Sequence, residues 1–257
     1  AEKIDKRREF HRGPLSLVPE ESTDKYHSFV NRGPIYGISI WAEFYTPRQL
    51  LALAIFATQV EQIVNSPELK ETETAVAIQT LMAFCVDKLA DLANSLCAWE
   101  PIAECPRHLF GRQAIPFTWD FAEGVPIGDS SGAFAVFVER CAQVLEAIGN
   151  DWQAGHVEQA SATRHPLPND SADALVTDLP YYYSVQYADL ADFFYVWLRR
   201  MLHGTYPSLF ADSLIRKDDE IIVQSPGHEF APEGKNNAFY ETKMREAMAE
   251  SRRVLKP

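Results

Sequence analysis

The chain has 257 residues and a formal net charge of −12, from 36 acidic and 24 basic side chains. That length allows one large domain or two small ones, and a hydrophobic content of 46% is typical of a globular protein. No apolar run approaches the ~20 residues of a membrane helix, the charged start predicts no signal peptide, and the acidic balance argues against a broad basic surface for nucleic acid.

The first part of the chain predicts little regular structure. Residues 1–35 are mostly polar and are interrupted by Pro14, Pro19 and Pro34. Proline lacks a backbone donor and restricts the residue before it, so it interrupts helices and strands alike. We therefore predict an N-terminal arm over residues 1–35, with at most a short strand.

A helical subdomain is predicted over residues 36–107. An alternating apolar stretch comes first, and Thr46 followed by Pro47 is then typical of an N-cap with proline at the first helical position. Apolar residues at helical spacing predict one helix at 47–65 and a second at 71–96.

The remaining residues, 108–257, mix short apolar runs with helical patterns, which predicts an α/β portion. The predicted elements are an irregular edge segment at 115–123, helices at 133–148, 187–202 and 237–255, and strands at 156–160, 174–177 and 220–223. Asp189 and Asp192, in the second of these helices, are interpreted as surface or capping acids.

The run at 174–177 predicts a buried strand that ends at Asp178. Pro180 cannot donate to a sheet, so the chain must leave the strand there in an extended loop that carries three tyrosines. Carboxylates and aromatic rings at the carboxyl end of a strand are typical of a ligand site in open α/β sheets.

The run DLPYYYSVQYADLADFFYVWLRR, which begins at Asp178, resembles a large group of adenine-specific DNA methylase-like proteins. Its first four residues are similar to the (D/N/S)PPY motif of S-adenosylmethionine-dependent amino-methyltransferases. The similarity extends to FGRQAIPFTWDFAE at 110–123, GHVEQASAT at 155–163 and RRVLKP at 252–257. It covers most of the chain after about residue 36.

The resemblance implies a partial Rossmann-like methyltransferase sheet with a helical subdomain or insertion. It also implies a catalytic motif made of Asp178, Leu179, Pro180 and Tyr181, which acts on an exocyclic amine of DNA, most often adenine N6. In that family the carboxylate and the following carbonyl hold the amine hydrogens, the proline fixes the loop, and Tyr181 stacks on the flipped-out base beside Tyr182. Leu179 departs from the usual proline but keeps its carbonyl.

S-adenosylmethionine is the implied cofactor, with Asp178 and Ser161 as its contacts and no metal required. Ser161 stands where the family often has an acid. The chain also contains no F-x-G-x-G or G-x-G text, which that class uses to bring backbone close to the cofactor. We therefore expect the remaining part of the same protein, or a partner, to supply the glycine-rich turn.

Other interpretations stay open at this point. The missing glycine motif and the acidic charge also fit a non-catalytic interaction module, and similar tetrapeptides act on RNA or protein amines. Four cysteines without C-x-x-C spacing predict neither a zinc site nor disulfides, and indicate a reducing compartment such as the cytoplasm. DNA, without a membrane, is the predicted partner.

Overall fold

The computed structural model describes residues 1–23, 31–69, 72–149, 152–183, 185–224, 226 and 233–257. Within those ranges, no helix combines the length and the apolar content that crossing a bilayer requires.

The chain divides into two compact units. The first comprises residues 1–149 and 187–215, and the second comprises residues 150–186 and 216–257. The domain boundaries predicted after residues 35 and 107 stay predictions.

Six α-helices account for most of the regular structure in the described residues. They are α1 (Glu2–Phe10), α2 (Pro47–Glu61), α3 (Thr72–Leu92), α4 (Phe134–Ile148), α5 (Tyr187–Leu202) and α6 (Asn237–Val254). The predicted start of α2 is confirmed, because the hydroxyl of Thr46 accepts a hydrogen bond from the amide of Gln49 and Pro47 opens the helix. The prediction of α5 is also confirmed, at both ends.

Helices α2, α3 and α5 pack together and form the core of the first unit. Aromatic rings fill its centre, with Trp41, Phe44, Phe193 and Trp197 almost wholly buried. The indole NH of Trp197 donates to the hydroxyl of Tyr45 at 3.0 Å, which satisfies the polar ends of both rings.

The prediction of an unstructured arm was wrong for its first residues, which form α1. Acidic side chains in its first turn and basic ones in its last turn suit the helix dipole, and Ile4 is buried. The segment after α1 is held against α5, because Arg200 donates to the carbonyls of Ser16 and Val18 and to the carboxylate of Glu21. Long-range contacts of this kind leave no sign in the local sequence.

The strands predicted at 156–160, 174–177 and 220–223 were wrong, since the structure has none there. The first two runs are exposed, with Val157 at 95% and Val176 at 96% of full exposure. A strand forms when a neighbour pairs with it, and the described residues supply no such neighbour along these runs. These strands were predicted from apolar content alone, and no segment of the described residues pairs along them.

The described residues contain one sheet, of two short antiparallel strands, β1 (Trp99–Glu100) and β2 (Cys105–Pro106). The edge segment predicted at 115–123 makes a single parallel bridge, between Asn31 and Ile115. The described residues therefore form helices and one small sheet, and they contain no Rossmann-like sheet.

Candidate functional site

The predicted catalytic motif lies in the second unit, at residues 178–183, which we call the tyrosine loop. Its middle is fixed by a backbone hydrogen bond, since the amide of Val223 donates to the carbonyl of Tyr182 at 3.0 Å. The segment therefore has a defined position although it belongs to no helix or strand.

Tyr182 packs against α6. Its ring lies 4.2 Å from that of Tyr240, centroid to centroid, and its hydroxyl donates to Glu241 at 2.8 Å. That hydrogen bond is the main reason why the pKa of Tyr182 is raised above its usual value. Tyr182 therefore packs against the protein itself. Its predicted role beside a substrate base is untested by these contacts and stays a prediction.

Two more hydrogen bonds join the tyrosine loop to α6. The hydroxyl of Tyr240 donates to the carbonyl of Pro180 at 2.7 Å, and that of Tyr183 donates to the side-chain oxygen of Asn237 at 2.5 Å. Positions 237, 240 and 241 share one helical face, because residues three and four apart are neighbours on a helix surface. One face of α6 therefore supports the loop.

Three other members of the motif are exposed. Asp178 is exposed, Leu179 is 40% exposed and Tyr181 is 54% exposed. No described residue donates a hydrogen bond to the carboxylate of Asp178 or to the carbonyl of Leu179, whereas the carbonyl of Pro180 is already used by Tyr240. Two acceptors and one aromatic ring are accessible to an incoming molecule.

Ser161 is not built into a cofactor site. It is exposed, its hydroxyl lies 2.9 Å from that of Thr163 and accepts the Thr163 amide at 3.3 Å, and it makes an isolated bridge to Arg164. These contacts form a local turn. No hydrogen bond joins Ser161 to Asp178 in the described ranges, so their shared cofactor role stays a prediction.

A short parallel pairing precedes the tyrosine loop. The amides of Asp170 and Ala172 donate to the carbonyls of Arg253 and Val254, and the amide of Lys256 donates back to the carbonyl of Ala172, at 2.8 to 3.0 Å. The chain entering the loop and the chain leaving α6 therefore run side by side in the same direction at Ala172 and Leu255.

The interpretation of Asp189 and Asp192 as surface acids was wrong in one respect. Both are buried, at 5% and 3% exposure. The carboxylate of Asp192 accepts the backbone amide of Ile215 at 2.8 Å, so it holds the chain beyond α5. Both acids belong to the first unit, and Asp192 supports structure there.

Sequence reasoning missed the supporting residues Asn237, Tyr240, Glu241 and Val223. The helical pattern predicted α6 and hence a common face for three of them, but no local signal shows what that face contacts.

No three metal-binding side chains come together within the described residues.

Comparison of the chain with family models, curated proteins and solved structures found no match.

Proposed function

We propose that the tyrosine loop is the amine-binding part of an S-adenosylmethionine-dependent N-methyltransferase, with an exocyclic amine of DNA, adenine N6, as its substrate. One observation supports this most directly. The loop is fixed by hydrogen bonds to α6, while Asp178, Leu179 and Tyr181 are exposed.

The chemistry of an aromatic amine explains why these groups suit it. The amine is a weak nucleophile because its lone pair is delocalised into the ring. Acceptors at Asp178 and Leu179 would hold the amine hydrogens, favour a pyramidal nitrogen and stabilise the positive charge that develops there. The ring of Tyr181 would stack on a base that has left the duplex, an interaction worth roughly 1–3 kcal/mol per base.

The described residues do not by themselves fit S-adenosylmethionine. Ser161 uses its hydroxyl in a local turn, and the chain has no glycine-rich turn that would let backbone approach the cofactor. The cofactor would supply the methyl group. We therefore propose that the remaining part of the same protein, or a partner, provides the cofactor-binding turn.

A Rossmann-like sheet is part of this proposal. The parallel pairing at Ala172 and Leu255 supports it, because parallel neighbours joined through a helix are the unit from which such sheets are built. The exposed apolar run at 174–177 would extend that pairing as a strand once a neighbour lies beside it. The four free thiols suit a reducing compartment such as the cytoplasm.

The experiment is transfer of labelled methyl from S-adenosylmethionine by the complete protein, with DNA, RNA and peptide acceptors compared side by side. Asp178→Ala should abolish transfer to DNA. Asp173→Ala is the matched control, since it removes another exposed acid five residues upstream, which forms a surface ion pair with Lys256. Full activity of Asp178→Ala would show that Asp178 is not catalytic. Preferred transfer to RNA or peptide would show that DNA is not the main substrate.

The second candidate function is a non-catalytic interaction module on the same framework. The local turn at Ser161 favours it, because a residue already engaged there is not available to a cofactor. Calorimetric titration of the complete protein distinguishes the two functions. Absence of S-adenosylmethionine binding would support the module, and binding would support the enzyme.

A further inference from the structure

A cavity of about 440 Å³ lies in the first unit, separate in sequence from the tyrosine loop. Its lining includes the basic side chains Arg107, His108 and Arg112 and the ring of Phe117, and it includes no aspartate or glutamate. In a chain with a net charge of −12, such a lining differs from the average surface and favours an anionic ligand.

The basic side of the cavity is held in place by α3. The amides of Leu109 and Phe110 donate to the carbonyl and the carboxylate of Asp91, at 2.9 and 3.4 Å. The amide of Arg107 donates to the carbonyl of Ala98 at 2.7 Å. This segment therefore presents its side chains from a fixed backbone, which lowers the entropy lost on binding.

The two arginines differ in how much of their charge is already neutralised. Arg107 lies 3.7 Å from Glu100, and His108 lies 3.9 Å from Asp91. Arg112 is exposed, and no acid within the described ranges forms an ion pair with it. Arg112 therefore offers the strongest attraction to an anion.

The aromatic side of the cavity is also fixed. Phe117 stacks on Tyr36 with ring centroids 3.8 Å apart and planes 19° apart, and Ile115 beside it is buried and bridged to Asn31. The two rings are nevertheless 46% and 56% exposed. Aromatic pairs that stay accessible at a basic cavity are suited to further stacking.

We propose that this cavity binds a single-stranded segment of nucleic acid, with a phosphate at Arg112 and Arg107 and a base against the ring of Phe117. Unpaired bases offer flat faces to aromatic rings, whereas bases in a duplex are already stacked on one another. An acidic peptide fits less well, because the cavity's aliphatic side chains Leu96 and Leu109 are almost wholly buried and offer little surface to it. The choice of DNA among nucleic acids rests on the proposed function.

The test is fluorescence anisotropy of a labelled oligothymidylate of about 12 nucleotides, a length within the range of single-strand sites. Phe117→Leu keeps an apolar side chain but loses the ring, and it should weaken binding about fivefold or more. Phe117→Tyr keeps an aromatic ring and should bind like the unmodified protein. Arg112→Gln should weaken binding and reduce the slope of log affinity against log salt by about 0.7, the value for one phosphate contact on a single strand.

Two controls match these changes elsewhere in the same unit. Phe84→Leu alters another exposed ring, and Arg140→Gln alters another exposed arginine. Both should bind the oligonucleotide like the unmodified protein.

Three results would overturn the proposal. They are no oligonucleotide binding by the unmodified protein, unchanged binding by both Phe117→Leu and Arg112→Gln, and tighter binding of polyglutamate that depends on the same two residues. Methyl transfer is not measured in this assay. If the protein binds the oligonucleotide through Phe117 and Arg112 but transfers no methyl group, this site is supported and the proposed function fails. If the enzyme is active but Phe117→Leu and Arg112→Gln bind normally, only this site is ruled out.

Discussion

The hydroxyl of Tyr240 provides a specific way to test how the tyrosine loop is held. Tyr240→Phe removes the hydrogen bond to the carbonyl of Pro180 and keeps the ring that packs on Tyr182. One neutral hydrogen bond contributes about 0.5–1.5 kcal/mol net. The lower end applies here, because Tyr240 is only half-buried and water can reach the freed carbonyl.

Hydrogen exchange at the amide of Val223 measures this change without reference to activity, because that amide donates to the carbonyl of Tyr182 only while the loop is in place. A loss of about 0.5 kcal/mol in the free energy of local opening should speed exchange about twofold. Tyr195→Phe is the matched control. Its hydroxyl donates to the carbonyl of Asp212 in the first unit, so it should leave Val223 unchanged.

Methyl transfer gives the functional readout of the same variant. Because doubling the population of a minor open state hardly changes the population of the closed state, Tyr240→Phe should lower kcat/KM by less than twofold, and the midpoint of global unfolding should change little. Exchange at Val223 that matches the unmodified protein would refute the view that Tyr240 holds the loop.

Three further predictions concern the stability of the first unit. Burial, with a smaller contribution from nearby Asp91, raises the pKa of the Asp87 carboxyl well above its usual value. Between the unfolded and the folded pKa the folded chain binds more protons than the unfolded chain, so the free energy of unfolding should fall as pH rises there, by up to about 1.4 kcal/mol per pH unit. Asp87→Asn should remove this slope in urea unfolding at several pH values, and a slope that persists would contradict the assignment. Arg200→Met should cost about 3 kcal/mol, because it leaves the carboxylate of Glu21 buried with weaker compensation, and a loss under about 1 kcal/mol in chemical denaturation would mean that water replaces the arginine. Thr46→Ala should cost about 1 kcal/mol through loss of the N-cap of α2, whereas Thr46→Ser should cost only a few tenths in the same measurement.

Local sequence signals were sufficient for five of the six α-helices in the described residues and missed α1. Thr46 and Pro47 marked the start of α2, and the apolar spacing from Tyr187 onward predicted α5, because a helix satisfies its backbone hydrogen bonds within one segment. The same argument explains the failures. The runs at 156–160 and 174–177 have strand composition, yet a strand must find its hydrogen-bond partners elsewhere.

The sequence by itself therefore predicted five of the six helices, the tyrosine loop and the candidate acceptor Asp178. Only the tertiary structure decided which residues support that loop, because the contacts of Tyr182 with Glu241 and of Pro180 with Tyr240 join positions about sixty residues apart. It also decided that Phe117 stacks on Tyr36 beside a basic cavity. Contacts between distant segments follow from how elements pack, and no periodicity within a single segment records them.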